Sequence, residues 1–333
     1  MTRLVITGGT LLDQHGERAG DLAIEDGHIV AVRDGAGPRL TGDTVLDASE
    51  CIVAPGFVDL HVHLREPGKE EAETIETGSR AAALGGFTAV VAMPNTDPAQ
   101  DCVAVVDFVR AQGRKVGLCE VLPSGCITIG RAGEQLAPYG ELAAAGVHLF
   151  TDDGNGVQDP QLMRRALEYA KPLGIVLAQH CEVTALTKGA VMHEGSCCSR
   201  LGLPGWPALA EELMVFRDIE LVRLTGVPMH FLHLSTARSV QLVRQAKAEG
   251  LPITAEATPH HFTLTDEQLG GYDPVFKVNP PLRTRADIDA IVIALPPQFH
   301  AEAAISAVRA GKDVLVEKPI ALHVADAERA VAT

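Results

Sequence analysis

Short apolar runs broken by turn residues fill the first part of the chain. They cover residues 4–7, 21–24 and 28–32. The triplet Glu25-Asp26-Gly27 between the last two runs is typical of a hairpin, because Asp and Gly adopt the left-handed backbone that tight hairpins need. Residues 1–52 therefore predict a small antiparallel β domain of the sandwich type.

From residue 53 the pattern changes, and short apolar runs alternate with longer helical stretches. This alternation is typical of βα units around a parallel sheet. The predicted strands are 57–63, 87–93, 116–122, 147–151, 175–180, 228–234 and 253–258, and the predicted helices include 70–84, 161–173, 208–224 and 239–249. These units predict an α/β fold over residues 53–287, a (β/α)₈ TIM-type barrel that needs one more strand.

Composition narrows the class of protein. The chain has 333 residues, a formal charge of −15 and seven cysteines. The negative charge argues against a nucleic acid or an anionic membrane surface as a partner, and no apolar stretch reaches the length of a membrane span. The N-terminus has no signal-peptide pattern, and no Cys-x-x-Cys pair occurs, so we expect a cytoplasmic protein with reduced thiols.

Two histidines at the end of the first barrel strand give the clearest indication of chemistry. Residues 59–65 read Asp-Leu-His-Val-His-Leu-Arg. Because side chains alternate along a strand, His61 and His63 share a face, and Arg65 is expected on the same face. Two imidazoles at this spacing can bind one metal ion such as Zn²⁺, and Arg65 offers a cation to an anionic substrate. A half-buried strand with hydrogen-bonded histidines would show the same short pattern.

Other polar residues follow the later strands at their carboxyl ends, where barrels carry their chemistry. Asn95 follows the second strand and Asp152-Asp153 the fourth, while His180 and His233 end the fifth and sixth. Four histidines and one aspartate suffice for two metal ions with a bridging carboxylate. Such ions polarise a carbonyl and lower the pKa of a water from 15.7 to roughly 7. The pattern predicts metal-assisted hydrolysis of an amide-like bond.

Six longer motifs resemble the dihydroorotase family of cyclic amidohydrolases. They are DLHVHLREPG (59–68), AMPNT (92–96), FTDDG (150–154), QHCE (179–182), HFLHLS (230–235) and KVNPPLR (277–283), within a resemblance that runs from residue 2 to residue 284. The resemblance implies an enzyme with two Zn²⁺ ions that interconverts N-carbamoyl-L-aspartate and L-dihydroorotate in pyrimidine biosynthesis.

The resemblance also implies roles for individual residues. The implied ligands are His61 and His63 for one zinc ion, His180 and His233 for the second, and Asp153 between the two or on one of them. The side chains implied to hold the carboxylate and ring of the substrate are Arg65, Asn95 and Asn279.

The residues after the fourth strand distinguish types within the family. Many relatives place a carboxylated lysine there, whereas this chain has Thr151-Asp152-Asp153 and resembles the type with an aspartate instead. Asp153 matches the family position, and Asp152 stays open as an alternative ligand or as a supporting carboxylate. Glu182 is expected to orient His180.

The expected eighth strand departs from the family pattern. The resemblance places there an Asp that binds zinc and acts as general base and acid, but Ala294 stands at that position. General acid–base catalysis is worth roughly 10²–10⁴ in rate. We therefore expect an impaired catalytic step and a weakened His61/His63 site. The chain also stops short of the usual family length, so the eighth strand is expected to be incomplete.

The tail, residues 288–333, resembles part of another family. Residues 291–300 and the Val-Leu-Val-Glu-Lys-Pro run at 314–319 resemble a glucose-fructose oxidoreductase type (Gfo/Idh/MocA) nucleotide-binding domain. The Gly-x-Gly-x-x-Gly loop of such a domain is missing, so we expect no dinucleotide binding. We hypothesise a chimeric or mis-assembled sequence, which a continuous junction in genomic DNA would reject.

Three other functions stay open. The chain could be a non-catalytic subunit of an aspartate transcarbamoylase complex, and a homodimer is an alternative assembly. It could be another cyclic amidohydrolase, of hydantoinase or allantoinase type. The tail alone suggests an NAD(P)-dependent oxidoreductase fragment. The missing Asp favours the non-catalytic subunit, whereas the retained histidines disfavour it.

Overall fold

The computed structural model describes residues 2–13, 16–35 and 40–288, and the structural statements below concern these residues. Ala294, the expected eighth strand and residues 289–333 of the tail lie outside them. The described residues belong to two compact units, one that runs to Phe57 and one that begins at Val58.

The first unit is a five-stranded sheet. Its strands are β1 (Arg3–Asp13), β2 (Gly16–Glu25), β3 (His28–Asp34), β4 (Thr44–Asp47) and β5 (Ile52–Val53). The predicted hairpin forms between β2 and β3, and its turn residues Asp26 and Gly27 have φ values of 50° and 77°. Both β4 and β5 run parallel to β1, so the sheet is mixed rather than antiparallel throughout. The reason is that β4 lies beside β1 and not beside β3, so no hairpin sets its direction.

The second unit alternates strands and helices. In chain order its elements are β6 (Phe57–Val62), α1 (Ile75–Leu84), β7 (Phe87–Ala92), α2 (Val103–Val116), β8 (Glu120–Pro123), α3 (Tyr139–Ala144), β9 (Leu149–Thr151), α4 (Pro160–Ala170), β10 (Val176–Gln179), α5 (Thr184–Thr187), β11 (Met192–His193), α6 (Ser196–Leu201), β12 (Gly205–Trp206), α7 (Leu209–Thr225), β13 (Met229–Phe231), α8 (Ala237–Ala248), β14 (Ile253–Ala255), α9 (Pro259–Thr263) and α10 (Arg285–Ile288).

The strands of this unit follow the order that the sequence predicts for a barrel. One sheet has the order β6-β7-β8 and another the order β9-β10-β13-β14. A parallel bridge between Gly125 and Phe150 connects the segment that follows β8 to β9. Gly125 permits this close approach, because a Cβ there would lie 2.9 Å from the Phe150 ring. All seven predicted strands are therefore present, and their carboxyl ends meet at one mouth.

Element boundaries differ from the prediction at several points. Residue Val116, predicted to begin a strand, ends α2 instead, and Gly117 terminates that helix with a left-handed φ of 65°. Helix α1 begins later than predicted because the Thr74 hydroxyl accepts a hydrogen bond from Thr77 N at 3.1 Å and caps it there. The short elements α5, β11, α6 and β12 were not predicted.

The main hydrophobic core lies between the strands and the helices that cover them. Phe150 on β9, Leu177 on β10 and Phe231 on β13 are fully buried against Leu167 of α4 and Val222 of α7. Burying side chains of this size stabilises the fold by about 1.5–3 kcal/mol each. Among the described helices, none has the length and apolar character that a membrane crossing requires.

Acid should destabilise this unit partly through His261, which is buried beside the mouth. Its Nε2–H donates to Pro280 O at 2.9 Å, and its Nδ1 lies 2.6 Å from Thr258 Oγ1. Burial lowers the pKa of His261 to about 3, and the charges of His260, His233 and Arg283 act in the same direction. The folded state therefore favours the neutral ring, and stability is lost as the pH falls from about 6.5 towards 3.

We expect His261→Gln to remove this pH dependence. At pH 5 the wild type should have lost about 2 kcal/mol of unfolding free energy through this residue, and the variant should not show that loss. Urea unfolding at pH 5 and pH 8 measures the difference. His148→Gln, the same change at an exposed histidine, is the control. Equal pH dependence in both variants would contradict the assignment.

Candidate metal centre

The carboxylate of Asp153 lies at the centre of a group of four imidazoles. Asp153 is the second residue after β9 and is 2% exposed. His61 Nε2 and His63 Nε2 lie 3.6 Å and 3.5 Å from its Oδ2. His180 Nδ1 and His233 Nε2 lie 3.7 Å and 3.3 Å from its Oδ1. The histidines thus form two pairs, one facing each carboxylate oxygen.

Acceptor oxygens outside the group hold three of these rings. The pairs are His61 Nδ1 with Glu256 Oε1 at 2.6 Å, His63 Nδ1 with Asn95 Oδ1 at 3.1 Å, and His180 Nε2 with Glu182 Oε2 at 2.9 Å. A carboxylate can only accept, and the Asn95 amide is placed with its oxygen towards the ring, so the outer nitrogens donate. The inner nitrogens of His61 and His63 are left to face Asp153, whereas His180 Nδ1 also lies 3.0 Å from His233 Nε2.

The electrostatics of the site favour positive charge around Asp153. Burial acts to lower the pKa of His61, but hydrogen bonds with Asp153 and Glu256 outweigh it and raise that pKa to about 10. The same balance, with Asp153 and Glu182, raises the pKa of His180 to about 9. Burial lowers the pKa of His63 to about 4. Hydrogen bonds from the histidines hold the pKa of Asp153 well below its usual value despite its burial.

This donor set fits a divalent metal ion. The ligand atoms of His61, Asp153 and His233 lie within 4.8 Å of one another. Imidazole nitrogen and carboxylate oxygen are common zinc ligands, and a cation between them would replace the lone-pair repulsion that unprotonated rings would otherwise have with the carboxylate. His63 and His180 also lie against this carboxylate, so all four predicted histidine ligands surround Asp153.

The neighbouring carboxylate of Asp152 points elsewhere. Its Oδ1 accepts a hydrogen bond from Thr128 N at 2.9 Å, and its Oδ2 accepts one from the Thr128 hydroxyl. Burial raises the pKa of Asp152 to about 6. Asp152 therefore stabilises the loop after β8 through its hydrogen bonds with Thr128. This geometry favours Asp153 over Asp152 as the metal ligand.

The predicted substrate residues have different surroundings. The Asn95 amide contacts His63 and lies 3.5 Å from Asp153 Oδ2, so its polar atoms are already engaged. Asn279 is exposed and hydrogen-bonds to Glu182. Arg65 lies near enough to His63 for its charge to contribute to the low pKa of that ring. Among the described residues, none forms an ion pair or hydrogen bond with the Arg65 guanidinium.

The backbone at Arg65 differs from the expectation. Strand β6 ends at Val62, and Arg65 has a left-handed φ of 61°. Simple strand alternation therefore does not extend from His61 and His63 to Arg65. The chain turns away from the strand after His63, and this turn sets the direction of the Arg65 side chain.

Sequence reasoning missed Glu256, which directly follows β14. Its two carboxylate oxygens contact His61, His230 and the backbone of His233. The available signal was a single charged residue within the otherwise uncharged predicted strand 253–258.

A buried arginine supports the loop that carries His233. Arg283 is fully buried and donates to Ser235 Oγ at 3.0 Å and to Trp206 O at 3.1 Å. Glu211, 3.9 Å from Arg283, accepts the backbone N–H groups of Ser235 and Thr236. These contacts fix the loop after β13.

Comparison with known proteins identifies the family. A family model described as "Dihydro-orotase-like" matches residues 50–239. The dihydroorotase of Pelotomaculum thermopropionicum is 53% identical over 291 residues, which cover 87% of this chain and 67% of that protein. The dihydroorotase of Mycobacterium leprae is 51% identical over 293 residues, 87% of this chain and 68% of the relative. The chain belongs to the dihydroorotase family.

A solved structure supports the fold. L-hydantoinase (dihydropyrimidinase) from Arthrobacter aurescens superposes with a TM-score of 0.72 at 21% identity, over 87% of this chain and 66% of that one. At this identity the likeness shows the fold alone, and it confirms the predicted barrel. The chain spans about two thirds of the length of these dihydroorotases and of the hydantoinase.

A second family model matches the end of the chain. The oxidoreductase family with an NAD-binding Rossmann fold matches residues 231–333, which confirms the predicted resemblance of the tail. Its match begins at Phe231 in β13. The described part of this segment, residues 231–288, contains α8 and β14 of the dihydroorotase-family unit.

Adjacent aspartates allow a matched test of the metal centre. We expect Asp153→Asn to remove most of the bound zinc, because it takes the negative charge from between the four imidazoles. Asp152→Asn should keep the zinc but lower the unfolding free energy by about 1–3 kcal/mol, because the amide has one acceptor oxygen where the carboxylate has two, and one of the two buried Thr128 donors loses its acceptor. Metal analysis of the purified variants, with urea unfolding, measures both effects. Loss of zinc in the Asp152 variant alone would reverse the assignment.

Proposed function

We propose that this chain is a zinc-dependent dihydroorotase-type hydrolase that interconverts L-dihydroorotate and N-carbamoyl-L-aspartate. The observation that carries the proposal is the placement of two imidazole pairs on the two oxygens of Asp153. Family membership supports the same substrate class, since the relatives named above are dihydroorotases.

Each ligand has a place in this proposal. His61 and His63 would hold one zinc ion, His180 and His233 the other, and Asp153 would lie between them. When bound, the zinc ions would polarise the substrate carbonyl and lower the pKa of a water. The chain itself keeps the inner ring nitrogens available, because Glu256, Asn95 and Glu182 hold the outer nitrogens of His61, His63 and His180.

The substrate would bind through its carboxylate. Arg65 offers a guanidinium with no ion-pair partner among residues 40–288, and Asn279 lies at the same mouth beside Glu182.

In hydrolysis the water oxygen bonds to the ring carbonyl carbon, the ring C–N bond breaks, and the water proton passes to the leaving nitrogen. In the reverse direction the ring closes and water is released.

Proton transfer is the step of the reaction for which this chain lacks the expected residue. The family resemblance expects an Asp where Ala294 stands. Three carboxylates contact the described imidazoles, those of Asp153, Glu182 and Glu256, and all three are engaged by histidines. We therefore propose that the chain binds zinc and turns over dihydroorotate slowly.

Restoring the carboxylate tests this proposal. We expect Ala294→Asp to raise the rate of dihydroorotate hydrolysis by roughly 10²–10⁴, the usual value of general acid–base catalysis. Zinc content and the loss of dihydroorotate absorbance are measured on the wild type, on this variant and on Ala301→Asp as a control. A wild-type protein without bound zinc would overturn the proposal. Equal rates in all three proteins would overturn the account of Ala294.

The role of Arg65 has its own test. We expect Arg65→Gln to lower kcat/KM for dihydroorotate roughly thirtyfold, because a charge-assisted hydrogen bond is worth about 2 kcal/mol. Any hydrolysis of dihydrouracil, which lacks the carboxylate, should change little. Arg80→Gln, at an exposed arginine paired with Glu76, is the matched control. An equal loss for both substrates would show that Arg65 does not bind the carboxylate.

A specific observation favours one alternative function. Because Ala294 replaces the expected base, the chain could act as a non-catalytic subunit with an aspartate transcarbamoylase. Co-purification with that enzyme without hydrolysis by either the wild type or Ala294→Asp would favour this function. Hydrolysis of hydantoin or allantoin in preference to dihydroorotate would indicate another cyclic amidohydrolase.

A further inference from the structure

One carboxylate outside the predicted ligand set contacts both halves of the metal centre. Glu256 Oε1 lies 2.6 Å from His61 Nδ1 and 3.2 Å from the backbone nitrogen of His233. His61 belongs to the pair that faces Asp153 Oδ2, and His233 to the pair that faces Oδ1. A single oxygen therefore accepts hydrogen bonds from one member of each pair.

The backbone of β13 and β14 fixes the position of this carboxylate. Glu256 N donates to Phe231 O at 3.0 Å, and Leu234 N donates to Glu256 O at 2.8 Å. These two bonds bracket His233, whose φ of 32° is left-handed and unfavourable for a residue with a side chain. The bond from His233 N to Glu256 thus supports a backbone conformation that aims the His233 ring at Asp153.

The second oxygen of Glu256 is occupied on the side away from Asp153. His230 Nε2 lies 3.2 Å from Glu256 Oε2, and His230 Nδ1 lies 2.8 Å from Thr254 Oγ1. With the threonine hydroxyl donating to Nδ1, the Nε2–H of His230 donates to the carboxylate. Glu256 is therefore held from both sides, and it has little freedom to rotate away from His61.

The direction of the His61 ring follows from this arrangement. A carboxylate accepts and cannot donate, so Nδ1 of His61 carries the proton of the 2.6 Å hydrogen bond. Its other nitrogen, Nε2, is directed at Asp153. Carboxylates that hold the outer nitrogen of a metal-binding histidine fix the ring orientation and raise the basicity of the ligand.

We infer that Glu256 is a positioning residue that sets the ring orientation and metal-binding nitrogen of His61 and, through the His233 backbone, supports both zinc sites at once. This inference rests on the proposed zinc-dependent function. Glu256 itself touches neither Asp153 nor the predicted substrate side chains in the described contacts, so its effect passes through the two histidines.

Cobalt binding provides a test that does not depend on turnover. Co²⁺ is added to the full-length, metal-stripped protein, and absorption titration gives its affinity. We expect Glu256→Ala to weaken Co²⁺ binding roughly 10- to 100-fold, the usual effect of removing such a carboxylate. Glu256→Gln keeps an acceptor oxygen of the same length, so it should recover much of that loss.

Proton NMR of the cobalt-loaded protein reports on His61 directly. The Nδ1–H of a bound imidazole gives a strongly shifted signal that exchanges with solvent. We expect the His61 signal in the wild type and in Glu256→Gln, and its loss or rapid exchange in Glu256→Ala. A residue that only stabilised the fold would lower the unfolding free energy without changing this signal.

Two controls separate positioning from general stability. His230→Gln removes the other side-chain partner of Glu256 but leaves His61 in contact, so cobalt affinity should stay within a few-fold of the wild type. Glu249→Ala, at an exposed carboxylate paired with Arg223, should change neither readout.

The outcomes distinguish this inference from the proposed function. If the wild type binds no Co²⁺ and no Zn²⁺, the metal centre itself fails, and the positioning role fails with it. If the wild type binds cobalt and Glu256→Ala shows the same affinity and the same His61 signal, the positioning role alone is overturned. If His230→Gln weakens cobalt binding as much as Glu256→Ala does, the effect is one of general stability, and the inference is likewise overturned.

Discussion

Four imidazoles directed at one buried carboxylate form the interaction on which the rest of the site depends. Without positive charge between them, the lone pairs of neutral His61 and His63 rings would face Asp153 Oδ2 across 3.6 Å and 3.5 Å. Hydrogen bonds with Asp153 help to raise the pKa values of His61 and His180 despite their burial, so the site favours positive charge beside this carboxylate. A divalent ion between the rings and the carboxylate supplies such positive charge, which is why the donor set fits a metal.

Three of the four rings are held in this orientation by hydrogen bonds at their outer nitrogens. Glu256, Asn95 and Glu182 come from three different strand ends, and each takes an outer nitrogen. The supporting residues are themselves fixed by the backbone of β14, by the Asp153 contact and by the Thr187 hydroxyl, respectively. The metal centre is thus the inner layer of a polar network that extends around the mouth of the barrel.

Local geometry gives the adjacent aspartates Asp152 and Asp153 different contacts, although their side chains are chemically identical. Asp152 and Asp153 are both buried at the end of β9, yet one accepts from Thr128 and the other faces the histidines. Consecutive side chains at a strand end point in opposite directions, so only one can reach the centre of the mouth. The close approach of Gly125 to Phe150 places β9 in the sheet and brings Asp153 to the mouth.

Much of the fold could be predicted from the sequence because the relevant signals are local. The seven apolar runs and their turn signals gave the seven barrel strands in order, and the family motifs gave the predicted ligands. Element ends were less predictable, since the capping hydroxyl of Thr74 and the left-handed Gly117 decide them through bonds that apolar periodicity does not encode. The left-handed backbone at Arg65 is a further case, because strand alternation stops where β6 stops.

The sequence by itself placed four histidines and the Asp152-Asp153 pair at one mouth, because strand order and the alternation of side chains place residues at one end of a barrel, but it did not identify Glu256. Only the tertiary structure decided how they pair: which aspartate faces the rings, and which residue holds His61. The contact between His61 and Glu256 joins residues 195 positions apart, and it exists because the strands curve round to bring β14 near β6. No local pattern encodes such a distance, so the partner of the first and clearest motif in the chain became visible only in the folded protein.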